Sequence, residues 1–275
     1  MISIVILTFN EALNIQRCLD SVQWSNDIVL MDSGSTDTTV QIAEKFGARI
    51  LTRKFDTFAN QRNYAMQRGD FRNSWVLHLD ADEVVTDALR IEMQGVVEKS
   101  SIEFPVYKVP SRIIFMDKWL KHAGMYPSYQ VRFGRSEELR FVDCGHGQRE
   151  TQSVDKVGTL DAPLDHYNFS KGVNDWFLRH LRYAKAEAEQ SFAEQSAPIK
   201  FAHLISVNST QRRRTLKQLA SYLPFRPTLR FIYVYAFRGG FLDGRAGLHY
   251  AFMMSIYQYF IDANQREILS GQKNK

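Results

Sequence analysis

The chain has 275 residues, of which 44% are hydrophobic and 24% are charged, and its formal net charge is +5. This composition excludes a disordered chain and allows one large globular domain or two smaller ones. The two cysteines, Cys18 and Cys144, are far apart and lack metal-ligand spacing, so we expect unpaired thiols in a reducing compartment. The apolar run at the N-terminus is too short for a signal sequence and predicts a first β-strand.

The first third of the chain alternates short apolar runs with helical patterns, as a parallel α/β sheet does. Strands are predicted at 2–8, 28–31, 49–52 and 75–79, with helices at 13–22, 38–46 and 58–68. In open α/β sheets, ligands lie beyond the carboxyl ends of the strands. We therefore expect the polar loops at 8–11, 32–35 and 80–82 to converge on one crevice.

An acid pair, Asp80 and Asp82, follows the fourth predicted strand. Alternation along an extended segment would point both carboxylates the same way. Mg2+ and Mn2+ prefer carboxylate oxygens together with the oxygens of a diphosphate. The pair therefore favours metal-assisted chemistry on a nucleotide. A solvated acid pair in a loop is the alternative, since this short motif is weak on its own.

The C-terminal part differs in charge and in aromatic content. Residues 199–245 contain nine Lys and Arg against one acid, Asp243. Residues 222–260 contain twelve aromatic residues, and residues 246–261 are free of charge, which is short of the roughly 20 apolar residues that span a bilayer. This pattern predicts helices lying in the interface of an anionic membrane. The alternative is a helical subdomain that buries its aromatic residues in the ordinary way.

Between these parts, residues 107–158 show an irregular, strand-like pattern, and residues 174–192 predict a helix. The apolar side of that helix would carry Trp176, Leu181, Ala184 and Ala188. A cationic set lies around the same helix and consists of His166, Lys171, Arg179, His180 and Arg182. These residues could hold a phosphate or an anionic acceptor. A solvated helix face with two core histidines is the alternative.

Four short motifs follow one another in the first third: Thr8-Phe9-Asn10-Glu11, Asp32-Ser33-Gly34-Ser35-Thr36-Asp37, Arg62-Asn63 and Asp80-Ala81-Asp82. Together they resemble family 2 glycosyltransferases of the GT-A fold. The segments 126–133, 166–172, 179–183 and 239–244 are similar to a subgroup that builds lipopolysaccharide core and exopolysaccharide. The resemblance covers nearly the whole chain.

The resemblance implies an α/β, Rossmann-like GT-A domain at 1–165, with a mostly parallel sheet flanked by helices, and a helical, membrane-associating extension at 166–275. It implies that Asp82, together with Asp80, binds a divalent cation, either Mg2+ or Mn2+. Arg132 could contact the diphosphate, and a surface strand arginine is the alternative. The residues implied in nucleotide binding are Thr8, Asn10, Glu11, Asp32, Arg62, Asn63 and Asp80.

Sugar transfer with inversion needs a base that takes the proton of the acceptor hydroxyl. Family members often carry a His-Glu pair after the Arg-Phe element, but here three residues separate His146 from Glu150. Glu150 is the first candidate for the base, followed by Asp143 and His146. Each of the three could equally be a polar loop residue.

These observations predict an inverting glycosyltransferase that uses a nucleotide sugar, with UDP as the commonest carrier. The acceptor would be a lipid-linked saccharide or a lipopolysaccharide or exopolysaccharide precursor, at the cytoplasmic face of the inner (plasma) membrane. One alternative is a haloacid-dehalogenase-like phosphatase with Asp80 as nucleophile and Asp82 as acid and base. Another is an inactive module that binds nucleotide sugar or lipid. Nucleic-acid binding through residues 212–214 is disfavoured, because no nucleic-acid module accompanies them.

Overall fold

The first strands of the chain are rich in isoleucine, valine and leucine, which suit a sheet covered on both faces. The computed structural model describes residues 1–99, 101, 103–144, 147–195, 212, 215, 219 and 223–273. Its early strands are β1 (Ser3–Thr8), β2 (Ile28–Asp32), β3 (Arg49–Thr52) and β4 (Trp75–Asp80). The helices between them are α1 (Ile15–Asp20), α2 (Thr39–Lys45) and α3 (Phe58–Arg68). The four predicted strands and three predicted helices are confirmed, with small changes at their ends.

Between β4 and residue 166, the described residues form eight further strands and one α-helix. They are β5 (Glu83–Val85), α4 (Asp87–Glu98), β6 (Val106–Phe115), β7 (Lys118–Trp119), β8 (Ser128–Arg135), β9 (Phe141–Cys144), β10 (Gly147–Glu150), β11 (Val157–Thr159) and β12 (Leu164–His166). The irregular pattern of residues 107–158 thus covers several short strands and the turns between them.

The main sheet has the order β3-β2-β1-β4-β8-β6-β12-β5, and β7 and β11 also pair with β6. The β3-β2-β1-β4 half is parallel, whereas β8 runs antiparallel to both β4 and β6. The sheet is therefore mixed, and five of the nine strand pairings described in it are parallel. The separate hairpin β9–β10 forms a second, two-stranded sheet.

Alternation along the central strands divides the core into two clusters, one on each face of the sheet. Ile4 and Ile6 of β1 belong to one cluster, and Val5 belongs to the other. Leu77 and Val76 of β4 divide in the same way. Both faces of the sheet are buried, so a register shift of one residue would move the side chains of each cluster to the opposite face. The packing of the two clusters therefore fixes the register and the positions of the strand ends.

The chain divides into two compact units. The sheet unit comprises residues 1–121 and 125–172, and the helical unit comprises residues 122–124 and 173–275. The described helices of the C-terminal region are α5 (Gly172–Gln195), α6 (Arg226–Ile232) and α7 (Gly244–Lys273), with a π-helical turn at Tyr233–Phe237 and a 3-10 turn at Gly240–Asp243. The predicted α/β architecture with a helical C-terminal region is confirmed.

The helical unit has its own core. Trp176 is buried and stacks on His180, with the ring centroids 3.5 Å apart. Tyr257 lies against His180 and donates a hydrogen bond of 2.8 Å to Glu187. Leu181 is 38% exposed, so its predicted place on the apolar side of α5 is wrong. None of the helices in the described ranges is long and apolar enough to cross a bilayer.

Candidate active site

Three loops of the sheet unit lie together because β2, β1 and β4 are neighbours and run parallel. The amide of Asn10, in the loop after β1, donates to Ser35 Oγ at 2.9 Å. The Asn10 Oδ1 atom accepts from the amide of Thr36 at 2.8 Å. The third loop joins them through the amide of Ala81, which donates to the carbonyl of Leu7 at 3.2 Å. The ends of these strands therefore form one polar crevice.

Asp32 organises the loop after β2. It is 2% exposed, and its Oδ2 accepts from the amides of Gly34 at 2.9 Å and Ser35 at 2.8 Å. Its Oδ1 accepts from Ser35 Oγ at 2.5 Å and from Thr8 Oγ1 at 3.1 Å. Gly34 has a φ of +95°, a value that side chains disfavour and that this tight turn requires. A contact between Asp32 and the base or ribose stays a prediction.

Glu11 is tied to a loop far along the sequence. Its Oε1 accepts from Lys171 Nζ at 2.6 Å, and its Oε2 accepts from Asn14 Nδ2 at 2.7 Å. Burial raises the pKa of Glu11 in spite of these two hydrogen bonds. In the same loop, the ring of Tyr167 lies 3.7 Å from the guanidinium carbon of Arg17. The residues after β12 therefore form one side of the crevice.

Asp80 lies between two buried arginines. Arg62 Nη2 donates to its Oδ1 at 2.6 Å, and Arg132 Nη2 donates to its Oδ2 at 2.6 Å. Arg62 is 1% exposed and Arg132 is 3% exposed, so the alternative of a surface strand arginine is wrong for Arg132. Among the described residues, Arg62 Nε, Arg62 Nη1 and Arg132 Nη1 find no hydrogen-bond acceptor. Direct nucleotide contacts from these arginines stay predictions.

Asp82 lies in the turn that follows β4, since the strand ends at Asp80 and β5 begins at Glu83. The alternation that would point Asp80 and Asp82 the same way therefore stops at Asp80. The Asp82 Oδ2 atom is 3.4 Å from His166 Nε2, at the end of β12. Burial alone would lower the pKa of His166, but the carboxylates of Asp82, Glu83 and Asp80 together outweigh it, with Asp82 first among them, and raise the pKa to about 9.

Glu83 is a further residue of this crevice and is absent from the predicted site residues. Its position three residues after Asp80 is the feature of the sequence that could have indicated it. It is 2% exposed and accepts hydrogen bonds from Arg132 and from the backbone amide of Asp80. Burial, followed by the nearby charge of Asp80, raises the pKa of Glu83 to about 8. The crevice thus has a buried acid beneath the acid pair.

Two of the three candidate bases, Asp143 and Glu150, lie on the paired strands β9 and β10. Asp143 is exposed and opposite Gln148, and Glu150 is partly buried and opposite Phe141. His146 lies outside the described residues. Asn63 of α3 uses its side-chain amide on this hairpin, with Nδ2 donating to the carbonyl of Phe141 at 2.8 Å. A nucleotide contact from Asn63 and a catalytic role for the hairpin acids stay predictions.

The predicted cationic set divides between the two units. His166 and Lys171 belong to the sheet unit, where they contact Asp82 and Glu11. The other three belong to the helical unit: Arg179 pairs with Asp175 at 2.9 Å, and His180 packs on Trp176 as a core histidine. The alternative of a core histidine is therefore correct for His180.

Asp82 and His166 together suit a divalent cation, because carboxylate oxygens bind Mg2+ and Mn2+ and neutral imidazole is the commonest metal ligand in proteins. Within the described ranges, no three His, Cys, Asp or Glu side chains are grouped as a metal site. A cation here would take Asp82 and His166 as protein ligands and fill its other positions with oxygens of the substrate and water. His166 is the ligand candidate that sequence analysis placed in the cationic set instead.

Comparisons with known proteins identify the family of the chain. The model of the family described as glycosyl transferase family 2 matches residues 3–147. An uncharacterized glycosyltransferase of Rickettsia bellii is 36% identical over 177 residues, which cover 61% of this chain and 60% of that protein. The lipopolysaccharide core biosynthesis glycosyltransferase LpsC of Rhizobium meliloti is 24% identical, over 99% of this chain and 95% of LpsC. The matches span only 32% to 60% of the length of five Rickettsia relatives.

Two solved structures are similar to the chain at low TM-scores. S. aureus TarS 1-349 in complex with UDP-GlcNAc aligns over 97% of this chain and 91% of that chain, at a TM-score of 0.45 and 14% identity. Mycobacterium tuberculosis glucosyl-3-phosphoglycerate synthase, in complex with Mn2+, UDP and glucosyl-3-phosphoglycerate, aligns over 68% and 77%, at 0.46 and 15%. At TM-scores below 0.5 these structures carry no argument, and the family assignment rests on the family model alone.

Proposed function

Because the chain belongs to glycosyl transferase family 2, we propose that it transfers a sugar from a nucleoside diphosphate sugar, with uridine as the base, and inverts the anomeric centre. The observation that carries the proposal is the crevice at the ends of β1, β2 and β4, where Asp32, Asp80 and Asp82 lie together with His166 of β12. Such a crevice is where ligands of open α/β sheets bind.

The proposed chemistry stabilises the negative charge that develops on the diphosphate as the glycosidic bond breaks. A bound Mg2+ or Mn2+ acts as a Lewis acid toward the diphosphate leaving group. Asp82 and His166 would hold this ion. Asp80, kept in one orientation by Arg62 and Arg132, would orient the donor by accepting hydrogen bonds from the ribose or the sugar. Each carboxylate oxygen of Asp80 has a second lone pair for such a contact.

We propose Glu150 as the base that takes the proton of the acceptor hydroxyl. It is on β10 and partly buried, and the hairpin that carries it packs against α3, the helix of Arg62. The exposed Asp143 across the hairpin is the second candidate. The haloacid-dehalogenase-like alternative is not retained, because the family match includes both Asp80 and Asp82.

The acceptor we propose is a lipid-linked saccharide, or a lipopolysaccharide or exopolysaccharide precursor, at the cytoplasmic face of the inner (plasma) membrane. The likeness to LpsC over nearly its whole length supports this acceptor class. Exposed apolar side chains on the helical unit support peripheral attachment, among them Phe225 at 80%, Phe237 at 82% and Phe241 at 52%. The exposed Arg245 and the partly buried Arg230 and Arg238 lie in the same unit and would supply cations for anionic headgroups, whereas Arg226 pairs with Asp262 at 2.8 Å.

A panel of nucleotide sugars with Mn2+ or Mg2+ tests the proposal. A donor that binds only the folded protein raises its unfolding temperature, and the same donor should be hydrolysed slowly without acceptor. Asp82→Ala should reduce this turnover by about 100-fold or more, since even supporting residues of metal sites contribute about 10- to 100-fold. Asp87→Ala removes a 93% exposed acid and is the matched control. Binding without turnover would indicate an inactive module, and no binding at all would refute the proposal.

A further inference from the structure

Glu83 closes a ring of hydrogen bonds around Asp80. Its Oε2 accepts from the backbone amide of Asp80 at 2.9 Å, and its Oε1 accepts from Arg132 Nη2 at 2.9 Å. The same Arg132 nitrogen donates to Asp80 Oδ2 at 2.6 Å. The ring therefore holds both the backbone and the carboxylate of Asp80 through one buried acid.

The members of this ring differ in how much of each side chain is exposed to solvent. The side chain of Glu83 is 3% exposed, and that of Arg132 is also 3% exposed. The side chain of Asp80 is 31% exposed, and Arg62 holds its other oxygen at 2.6 Å. Glu83 is thus too deeply buried to touch a substrate, whereas Asp80 faces the crevice. Any effect of Glu83 on a ligand must pass through its neighbours.

We propose that Glu83 is a positioning residue, which orients Asp80 for the nucleotide part of the donor by holding the Asp80 amide and the Arg132 guanidinium together. This inference rests on the proposed function. A carboxyl group suits the role because it offers an acceptor oxygen to each of two fixed donors. A glutamine offers one acceptor and one NH2 group, so either orientation sets N–H against N–H in a buried place.

The test is Glu83→Gln in the full chain, with UDP and Mn2+ as the probe. Titration calorimetry should show UDP affinity reduced by about 10- to 100-fold, the effect typical of residues that orient a ligand contact. In turnover assays, the KM for the donor should rise while the KM for the acceptor stays unchanged. Replacing a side chain that only stabilises the fold would not raise the KM for the donor while leaving the KM for the acceptor unchanged.

Asp27→Asn is the matched control. Asp27 is 3% exposed and accepts from Ser3 Oγ at 2.6 Å and from the amide of Arg72 at 2.9 Å, just before β2 and away from the carboxyl ends of the strands. The variant Asp27→Asn should lower the unfolding temperature and leave UDP affinity unchanged. Equal UDP affinity in wild type and Glu83→Gln would overturn the positioning role. Failure of wild type to bind any nucleotide would instead count against the proposed function.

Removing one partner of a buried hydrogen-bonded pair can prevent folding. The double variant Glu83→Met/Arg132→Met replaces both partners with apolar side chains of similar size, which proteins commonly tolerate. If Glu83→Gln does not fold, this double variant is compared with Arg132→Met alone. It should bind UDP more weakly than Arg132→Met, because the Asp80 amide has lost its acceptor, and equal binding by the two variants would overturn the inference.

Discussion

Three acids of the crevice have different surroundings, and these surroundings set what each acid can do. Asp32 accepts four hydrogen bonds from its own loop and from Thr8, which makes it a fixed part of the frame. Asp80 is held by two guanidinium groups, whereas Asp82 contacts an imidazole. Only the last of these partners is itself a common metal ligand. These surroundings favour the proposed division of the acid pair, in which Asp80 orients the donor and Asp82 binds the cation.

The contact between His166 and Asp82 predicts how the stability of the metal-free protein depends on pH. The pKa of His166 is raised from 6.5 to about 9, so the folded protein holds the proton more tightly than the unfolded chain. The resulting stabilisation is fully present below pH 6.5 and is lost as the pH rises through 9. Urea unfolding in the presence of a chelator should therefore show stability falling across this window.

His166→Gln should make the decrease of stability with rising pH shallower. The raised pKa of Glu83 gives a fall of the same sign between pH 4.5 and about 8, and that contribution remains in the variant. His249→Gln, in α7 and outside the sheet unit, serves as the control. Equal slopes for wild type and His166→Gln would contradict the contact as the source of the effect.

At the scale of elements, α3 holds the hairpin that carries the candidate bases. Its first turn is capped by Thr57, whose side chain accepts from the amide of Asn60. One turn later, Asn63 bonds both backbone groups of Phe141, with the Phe141 amide donating to Asn63 Oδ1 at 3.0 Å. The helix thereby joins β9 to the main sheet, although the hairpin forms a separate sheet.

Asn63→Ala should leave the backbone groups of Phe141 without these partners, at a cost of about 1–3 kcal/mol. Urea denaturation should show this loss, and hydrogen exchange of the Phe141 amide should become faster. Asn60→Ala, on the exposed side of the same helix, is the control for helix propensity. Unchanged exchange at Phe141 would show that the hairpin does not depend on α3 through Asn63.

At the scale of the whole molecule, the two units have different surfaces. The sheet unit buries its strands in two clusters, whereas the helical unit exposes large aromatic side chains at Phe225 and Phe237. The predicted surplus of aromatic residues is therefore only partly buried, and Trp176 and Tyr257 account for some of the buried part. This exposed apolar surface beside arginines is what the proposed membrane attachment requires.

Phe237→Ser/Phe241→Ser should weaken binding to phosphatidylglycerol vesicles. Each phenylalanine that enters the interface contributes about 1.5–3 kcal/mol, so the partition coefficient should fall by about tenfold or more for each. Co-sedimentation at moderate salt measures it. Phe55→Ser removes a 45% exposed aromatic of the sheet unit and should have no effect. If the double variant binds vesicles as well as wild type does, this surface is not the attachment.

Local sequence was sufficient to predict the family, the four parallel strands and the loops that follow those strands. Period-two alternation and short motifs are properties of neighbouring residues, and a parallel sheet buried on both faces leaves long apolar runs. The strands between β5 and β12 were harder to predict. The short strands β7, β9, β10 and β11 have two to four residues, too few alternations to show a period. The longer strands β6 and β8 pair with a register shift at Tyr107/Lys108, which local sequence does not reveal.

The partners of the acids emerged only in the folded chain. Arg62 meets Asp80 across 18 residues, Arg132 across 52, and Lys171 meets Glu11 across 160. No local pattern encodes such contacts, because they depend on strand order and on where each strand ends. The sequence therefore identified Asp80 and Asp82 as a pair, and tertiary packing decided that one is held by arginines and the other contacts His166.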